Sequence, residues 1–259
     1  MNTLLVKNNF SKSAATYDLN SGVQKKCAGI LAEITGGKDY LRILEIGCGT
    51  AFYTSLLAQK FEGAFISAVD FSQGMLEMAR KRSSWRNVDF ILSDIERNEL
   101  CGKYDLVTSN ASFQWFSDVE KVLSKIYGVL DKGGSISFSL YGKNTFKELN
   151  EVLNIHFGGS VRLSSNDFFD KAETEKVVSK YFAPVNIFEE HFTEYFPTFL
   201  EFLKSIKNSG TRGEGIKGDL FLGKNALKEI EKTYVDKYGA VKVTHHVIFV
   251  SAKKAGRDE

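Results

Sequence analysis

Glu45, Gly47, Gly49 and Asp70 are the residues of this chain whose types and spacing could do chemistry together. They fall in and after the run Leu41-Arg42-Ile43-Leu44-Glu45-Ile46-Gly47-Cys48-Gly49-Thr50, a buried-strand pattern that enters a glycine turn. Glycines let backbone come close to a ligand, and the helix pattern that follows at residues 52–61 offers unpaired N–H groups to a polar one. Asp70 ends a second apolar run, Ala64-Phe65-Ile66-Ser67-Ala68-Val69, one βα unit later. A carboxylate there can take both hydroxyls of a ribose. The combination implies an adenosine-containing cofactor.

The details of the turn narrow the choice. Dinucleotide enzymes read G-x-G-x-x-G, with the third glycine packing under a pyrophosphate. Here the spacing is Gly47-x-Gly49-x-Ala51, and Glu45 stands just before it. An acid beside the loop repels a pyrophosphate but suits a ligand with an ammonium and a sulfonium. No Lys-Ser or Lys-Thr follows the glycines, so a Walker loop is absent.

The E-x-G-x-G pattern with an acidic strand end resembles the first two motifs of class I S-adenosylmethionine-dependent methyltransferases. The series continues in order with Ser93-Asp94-Ile95 after a strand at residues 87–92, then Tyr104-Asp105-Leu106-Val107-Thr108-Ser109-Asn110, then Leu130-Asp131-Lys132-Gly133-Gly134 before residues 135–140. The resemblance implies S-adenosylmethionine as cofactor. It places Glu45, Gly47, Cys48, Gly49, Asp70, Phe71, Met75, Asp94, Ile95 and Asn110 around it, with Asp94 accepting from the adenine amino group and Met75 reaching toward the ring. Tyr17 is expected to cover the cofactor. Cys48 reads as a small loop residue and not as a nucleophile.

The rest of the composition bounds the elements that must hold this site. The chain has 259 residues, is 43% hydrophobic and carries a net charge of +2. That allows one sizeable core with an inserted subdomain, and gives too little charge for a nucleic-acid footprint. Residues 198–259 hold twelve basic and eight acidic side chains, and Arg80, Lys81, Arg82 and Arg86 form a second basic cluster. These read either as solvated faces or as a docking surface for an acidic partner. Cys27, Cys48 and Cys101 have no metal spacing, and His245 and His246 point to opposite faces of a strand, so no metal is expected. The cysteine usage and the lack of signal-peptide and membrane-span patterns predict a reduced, cytoplasmic protein, expected to be a monomer.

Along the chain, residues 8–40 read as an N-terminal helical arm and residues 41–141 as the cofactor-binding half, within a single domain spanning 1–259. Alternation of strand and helix patterns from 41 to 140 implies a right-handed, largely parallel sheet. Helices are expected at 143–156 and at 166–182 with Asn166 as N-cap, then an edge-side strand at 185–195. Pro197 starts a helix to 207, a glycine-rich mobile loop follows at 208–223, then a helix at 225–238 and a last strand at 241–251. The predicted fold is therefore α/β, a Rossmann-like seven-stranded sheet with helices on both faces. Residues 196–239 form a helical cap inserted between its last two strands.

Three further stretches resemble a narrower family, the malonyl-[acyl-carrier protein] O-methyltransferases of biotin synthesis. They are Asn9-Phe10-Ser11-x-x-Ala14-x-x-Tyr17-Asp18 with Gln24, Ser109-Asn110-Ala111-Ser112-Phe113-Gln114-Trp115, and Phe202-Leu203-Lys204-Ser205-Ile206-Lys207-x-x-Gly210-Thr211. Ala51 departs from a usual third glycine, a change tolerable at negative φ. The resemblance implies methylation of the free carboxylate of a malonyl thioester carried by acidic acyl-carrier protein or by CoA. That carboxylate is ionised at pH 7, so no acid or base residue is needed. Alignment and exclusion of water remain, and the substrate side is expected to use neutral donors at Tyr17, Gln114 and Trp115, with His156 and Arg212. Trp115 reads equally as a packing residue, and His156 more readily as one. The alternatives are a free dicarboxylic acid O-methyltransferase, a quinone-precursor C-methyltransferase, or a non-catalytic cofactor-binding subunit. Nucleic-acid methylation is disfavoured, because Ser109-Asn110-Ala111-Ser112 stands where an Asn- or Asp-Pro-Pro-Tyr turn is needed.

Overall fold

A computed structural model of the chain describes residues 3–36, 39–159, 161–211, 216–217 and 223–254. The arm is two helices, α1 (Thr3–Tyr17) and α2 (Gly22–Ile34), so it begins five residues before the expected start at 8. The alternating half follows as β1 (Arg42–Ile46), α3 (Phe52–Lys60), β2 (Phe65–Asp70), α4 (Gln73–Arg82), β3 (Val88–Leu92), β4 (Tyr104–Ser109), α5 (Val119–Val129) and β5 (Leu130–Tyr141). Next come α6 (Lys147–Phe157), β6 (Arg162–Leu163), α7 (Lys171–Val178), β7 (Val185–Phe196), α8 (Phe199–Asn208), β8 (Ile216–Lys217), α9 (Lys224–Tyr238) and β9 (Val241–Lys253).

Seven strands form one sheet in the order β3-β2-β1-β4-β5-β9-β7. The first five are parallel, and β9 and β7 run antiparallel at one edge. Side chains alternate across the sheet. Ile43, Ile66, Leu106 and Phe249 meet Val23, Cys27 and Leu31 of α2 and Leu57 of α3 on one face. Leu44, Val69, Val107 and Val250 meet Val122, Leu123 and Ile126 of α5 and Val178 of α7 on the other. Each of the α5 side chains is essentially buried, which contributes about 1.5–3 kcal/mol apiece.

The β9 strand is longer than β5, and that length builds the cap. Pairing with β5 ends at Tyr141↔Val247, whereas pairing with β7 continues to Phe196↔Val241. The projecting β7–β9 ribbon carries Val241 and Val243 into a third core with Val152 and Leu153 of α6, Phe199 and Phe202 of α8, and Ile230 and Tyr234 of α9. Glu148 anchors α6 to it, because its buried carboxylate accepts from the Thr244 N–H (2.9 Å) and hydroxyl (2.5 Å).

Two sequence expectations change. The segment 166–182 is not one helix. Asn166 lies in a 3-10 turn, Ser164–Asp167, with its Oδ1 accepting from Leu163 N–H, and α7 starts only after Asp170. Asp170 and Glu173 satisfy each other's backbone N–H groups as a capping box, which outcompetes Asn166 as the N-terminus. Likewise α8 is capped by Thr198, whose hydroxyl accepts from Glu201 N–H, so Pro197 precedes the helix. Most of the loop expected at 208–223 lies outside the described residues, but Ile216–Lys217 pairs with Arg162–Leu163. No helix among the described residues is long and apolar enough to cross a membrane.

Candidate active site

The C-terminal ends of β1, β2 and β4 open onto a cavity roofed by α1. Thr3, Phe10 and Tyr17, seven residues apart, present one face of α1 to it. The helix is held there from two sides. Ser11 Oγ bonds Ser72 Oγ at 2.8 Å, and Gly74 admits the Ser11 backbone so closely that a Cβ would lie 2.9 Å from its oxygen. On the cap side the Thr16 hydroxyl donates to Asn208 O at 2.8 Å. Gly210, at φ +69°, gives room for Ser13 and Asn9.

The floor is the glycine turn. Gly47 has φ +73°, and a side chain there would collide with Ser112, so both backbone shape and the facing wall demand glycine. Gly49, at φ +55°, faces open space. Asp70 locks the turn by accepting from Gly49 N–H and Ser72 N–H, both at 2.8 Å. Burial pushes its carboxyl up to about 6 against these hydrogen bonds. Ala51 is the correction here. It adopts φ +68°, not a negative φ, as it caps the start of α3, and a methyl in the left-handed region costs roughly 1–2 kcal/mol.

Of the residues expected around the cofactor, Tyr17, Gly47, Gly49, Asp70, Phe71, Met75, Asp94, Ile95 and Asn110 line this cavity. Cys48 lines a small adjoining recess with Tyr17, Gly49, Ser21 and Asn110. Glu45 lies beneath the turn, 1% exposed, and its Oε2 has no hydrogen-bond partner among the described residues. Desolvation raises its carboxyl to about 8, with Asp70 adding to the shift and Thr54 opposing it. Phe10 was not singled out as a site residue. Its ring contacts Tyr17, Phe71 and Trp115, and the seven-residue spacing to Tyr17 was the signal available.

A second cavity of about 450 Å³ adjoins the first under the cap, and Trp115 lines both. Its indole is braced edge-on by Phe10 and Phe168, with ring centroids 5.7 and 5.9 Å away. Of the described residues expected on the substrate side, Trp115 alone lines this second cavity. Tyr17 lines the first cavity and the recess. Gln114 is buried and occupied, donating to Ala111 O (2.6 Å) and accepting from Tyr141 N–H (3.2 Å), so it fixes the turn that carries Trp115. His156 is exposed on α6 against Phe157 and lines neither cavity. Arg212 lies outside the described residues.

Other lining residues come from distant parts of the chain: Tyr141, Phe146, Ser165, Phe168, Ile206 and His245 among them. His245 Nε2 pairs with Glu194 at 2.9 Å across the β7–β9 ribbon, and that bond holds the Glu194 carboxyl below its ordinary value. His246 pairs instead with Glu189. Among the described residues no group of three or more His, Cys, Asp or Glu could hold a metal.

A methyltransferase-domain family model matches residues 44–138, the half that builds the first cavity. Across the whole chain, malonyl-[acyl-carrier protein] O-methyltransferase 1 of Ilyobacter polytropus is 34% identical, covering 98% of this chain and 96% of its own length. The malonyl-[acyl-carrier protein] O-methyltransferase of Priestia megaterium is 33% identical over 99% and 100%. The chain belongs to the malonyl-[acyl-carrier protein] O-methyltransferase family. The fold agrees. A phosphoethanolamine N-methyltransferase 2 from Haemonchus contortus, solved with S-adenosylhomocysteine, superposes at TM-score 0.60 with 20% identity, over 95% of this chain and 58% of that one. The YcgJ protein of Bacillus subtilis superposes at 0.62 with 15% identity, over 89% and 99%. The sheet is thus the Rossmann-like class I methyltransferase sheet, and full-length kinship extends through the arm and the cap.

Proposed function

We propose that this chain methylates the free carboxylate of a malonyl thioester to its methyl ester, with S-adenosylmethionine as cofactor and an acyl-carrier protein as the thioester's carrier. The observation that carries the proposal is the pair of adjoining cavities sharing the Trp115 wall, in a chain that belongs to this family over its whole length.

The residues of the first cavity fit the cofactor. Asp70 keeps lone pairs free for ribose hydroxyls after accepting its two backbone N–H groups. Asp94 lines the same cavity, where it would accept from the adenine amino group. Glu45 lines neither cavity nor recess, but its unpartnered Oε2 beneath the turn would favour a cationic ligand above it through charge. The cofactor supplies an electrophilic methyl on a sulfonium. The protein's part is positioning and the exclusion of water: Phe10 and Tyr17 roof the cavity and Trp115 walls it. No base is called for, since a malonyl carboxylate is ionised at neutral pH.

Family membership favours this reading over the free-acid, quinone-precursor and non-catalytic ones. The test is a mass-spectrometric transfer assay with malonyl-carrier protein, malonyl-CoA and free malonate in parallel. Methyl ester on the thioesters and little on free malonate is expected. Cofactor binding with no methylation of any of the three would remove the reading.

A further inference from the structure

The second cavity carries two hydroxyls that the fold does not use. Tyr141 and Ser165 are 5% and 4% exposed, and neither Tyr141 Oη nor Ser165 Oγ has a hydrogen-bond partner among the described residues. A buried hydroxyl without a partner has given up water with nothing in exchange, and such groups are rare enough in folded proteins to require a reason. Tyr234 Oη is also unpartnered, but it lies in the cap core and lines neither cavity. Tyr141 and Ser165 both line the second cavity, whose wall is otherwise largely apolar, with Trp115, Phe146, Leu149 and Ile206. That wall suits a ligand with two oxygen acceptors on a mainly apolar body.

Tyr141 lines the second cavity, near the Trp115 wall that both cavities share. Its backbone N–H is held by Gln114, next to the shared Trp115. Its ring lies 5.8 Å from that of His245. A phenol is protonated and therefore a donor at neutral pH, and burial pushes its titration further up.

We infer that Tyr141 and Ser165 are the substrate's hydrogen-bond donors, Tyr141 to the carboxylate that receives the methyl and Ser165 to the thioester carbonyl oxygen. The inference rests on the malonyl reading above. A neutral phenol orients a carboxylate without neutralising it, whereas a lysine or arginine pair would blunt the attacking oxygen. Tyr141 Oη keeps its proton throughout. Its donation occupies one of about four lone-pair sites on the carboxylate and leaves the rest for the methyl.

The test is calorimetric titration of S-adenosylhomocysteine-loaded protein with malonyl-pantetheine and with acetyl-pantetheine, which lacks the carboxylate. Tyr141→Phe is expected to weaken malonyl-pantetheine at least tenfold and leave acetyl-pantetheine unchanged. Ser165→Ala is expected to weaken both about threefold or more. Neither variant should lower the melting temperature or the S-adenosylhomocysteine affinity, because each removes a group the fold leaves unsatisfied. Wild-type malonyl affinity in Tyr141→Phe, or a lowered melting temperature, overturns the assignment while the malonyl reading stands. Wild-type protein that binds S-adenosylhomocysteine but no malonyl-pantetheine overturns both.

Discussion

Asn110 ties the sheet to the N-terminal arm: its Nδ2 donates to the Gln24 backbone oxygen at 3.0 Å. Its Oδ1 meanwhile accepts from the Ser139 hydroxyl at 2.9 Å. The amide thus joins the end of β4 to α2 and β5, where Gln24 reaches the second cavity. Asn110→Ala should cost about 1–3 kcal/mol of stability, because the two partners lose their bonds. An unchanged denaturation midpoint would show that the bridge does not hold the arm.

Asp70→Ala should weaken S-adenosylmethionine binding by about 1.5–3 kcal/mol, roughly ten- to a hundredfold, through lost charged hydrogen bonds to ribose. Stability should fall as well, since Gly49 and Ser72 N–H both rely on this carboxylate. Calorimetry that finds unchanged affinity removes Asp70 from the cofactor site.

Glu45 should make cofactor binding pH-dependent. Its folded-state value, about 8, lies above the ordinary 4.5. Its contribution to stability without ligand is therefore complete below about 4.5 and is lost as pH rises through about 8. A cationic ligand needs the carboxylate, so binding near pH 7 should expel a proton. Affinity should rise from pH 6.5 to 7.5 by up to about tenfold. Buffers of different ionisation heat should reveal proton release at pH 7, absent in Glu45→Gln. Release that persists in that variant would place the proton elsewhere.

Ala51 sits where left-handed backbone and burial oppose each other. Glycine would relieve roughly 1–2 kcal/mol of strain but forfeit about 0.8 kcal/mol of buried methyl. Ala51→Gly should therefore change stability by about 1 kcal/mol or less. Ala51→Val should cost more than about 2 kcal/mol, from overpacking added to a β-branched residue at positive φ. Equal melting temperatures for the two variants would contradict this.

Carrier docking should be ionic. Lys204 and Lys207 on α8 and Lys228 and Lys232 on α9 are exposed on the cap, and Lys207 lines the second cavity. Raising salt from about 50 to 500 mM should increase the KM for malonyl-carrier protein severalfold and leave that for malonyl-pantetheine nearly unchanged. Equal salt responses would remove the docking surface.

The cofactor half was legible because its determinants are local. A buried strand, a turn that needs positive φ at Gly47 and Gly49, and a carboxylate at the next strand end are read within 30 residues of one another. The same holds for the alternation that builds the parallel sheet. The local signals that misled were helix starts: Asn166 lost the N-cap to the reciprocal Asp170–Glu173 box, and Pro197, read as the first helical residue, precedes the Thr198 cap.

The second cavity was decided by tertiary structure. Tyr141, Ser165, Ile206 and His245 share no motif, and they meet because β9 overruns β5 and swings the cap over the sheet's end. Gln114 and His156 look alike as polar candidates in sequence, yet one is consumed by Ala111 and Tyr141 and the other stays exposed on α6. Residue type and spacing specify which turn can cradle a cofactor, since backbone geometry is local. Which hydroxyls remain unpaired beside it depends on long-range packing, and only the folded chain sets that.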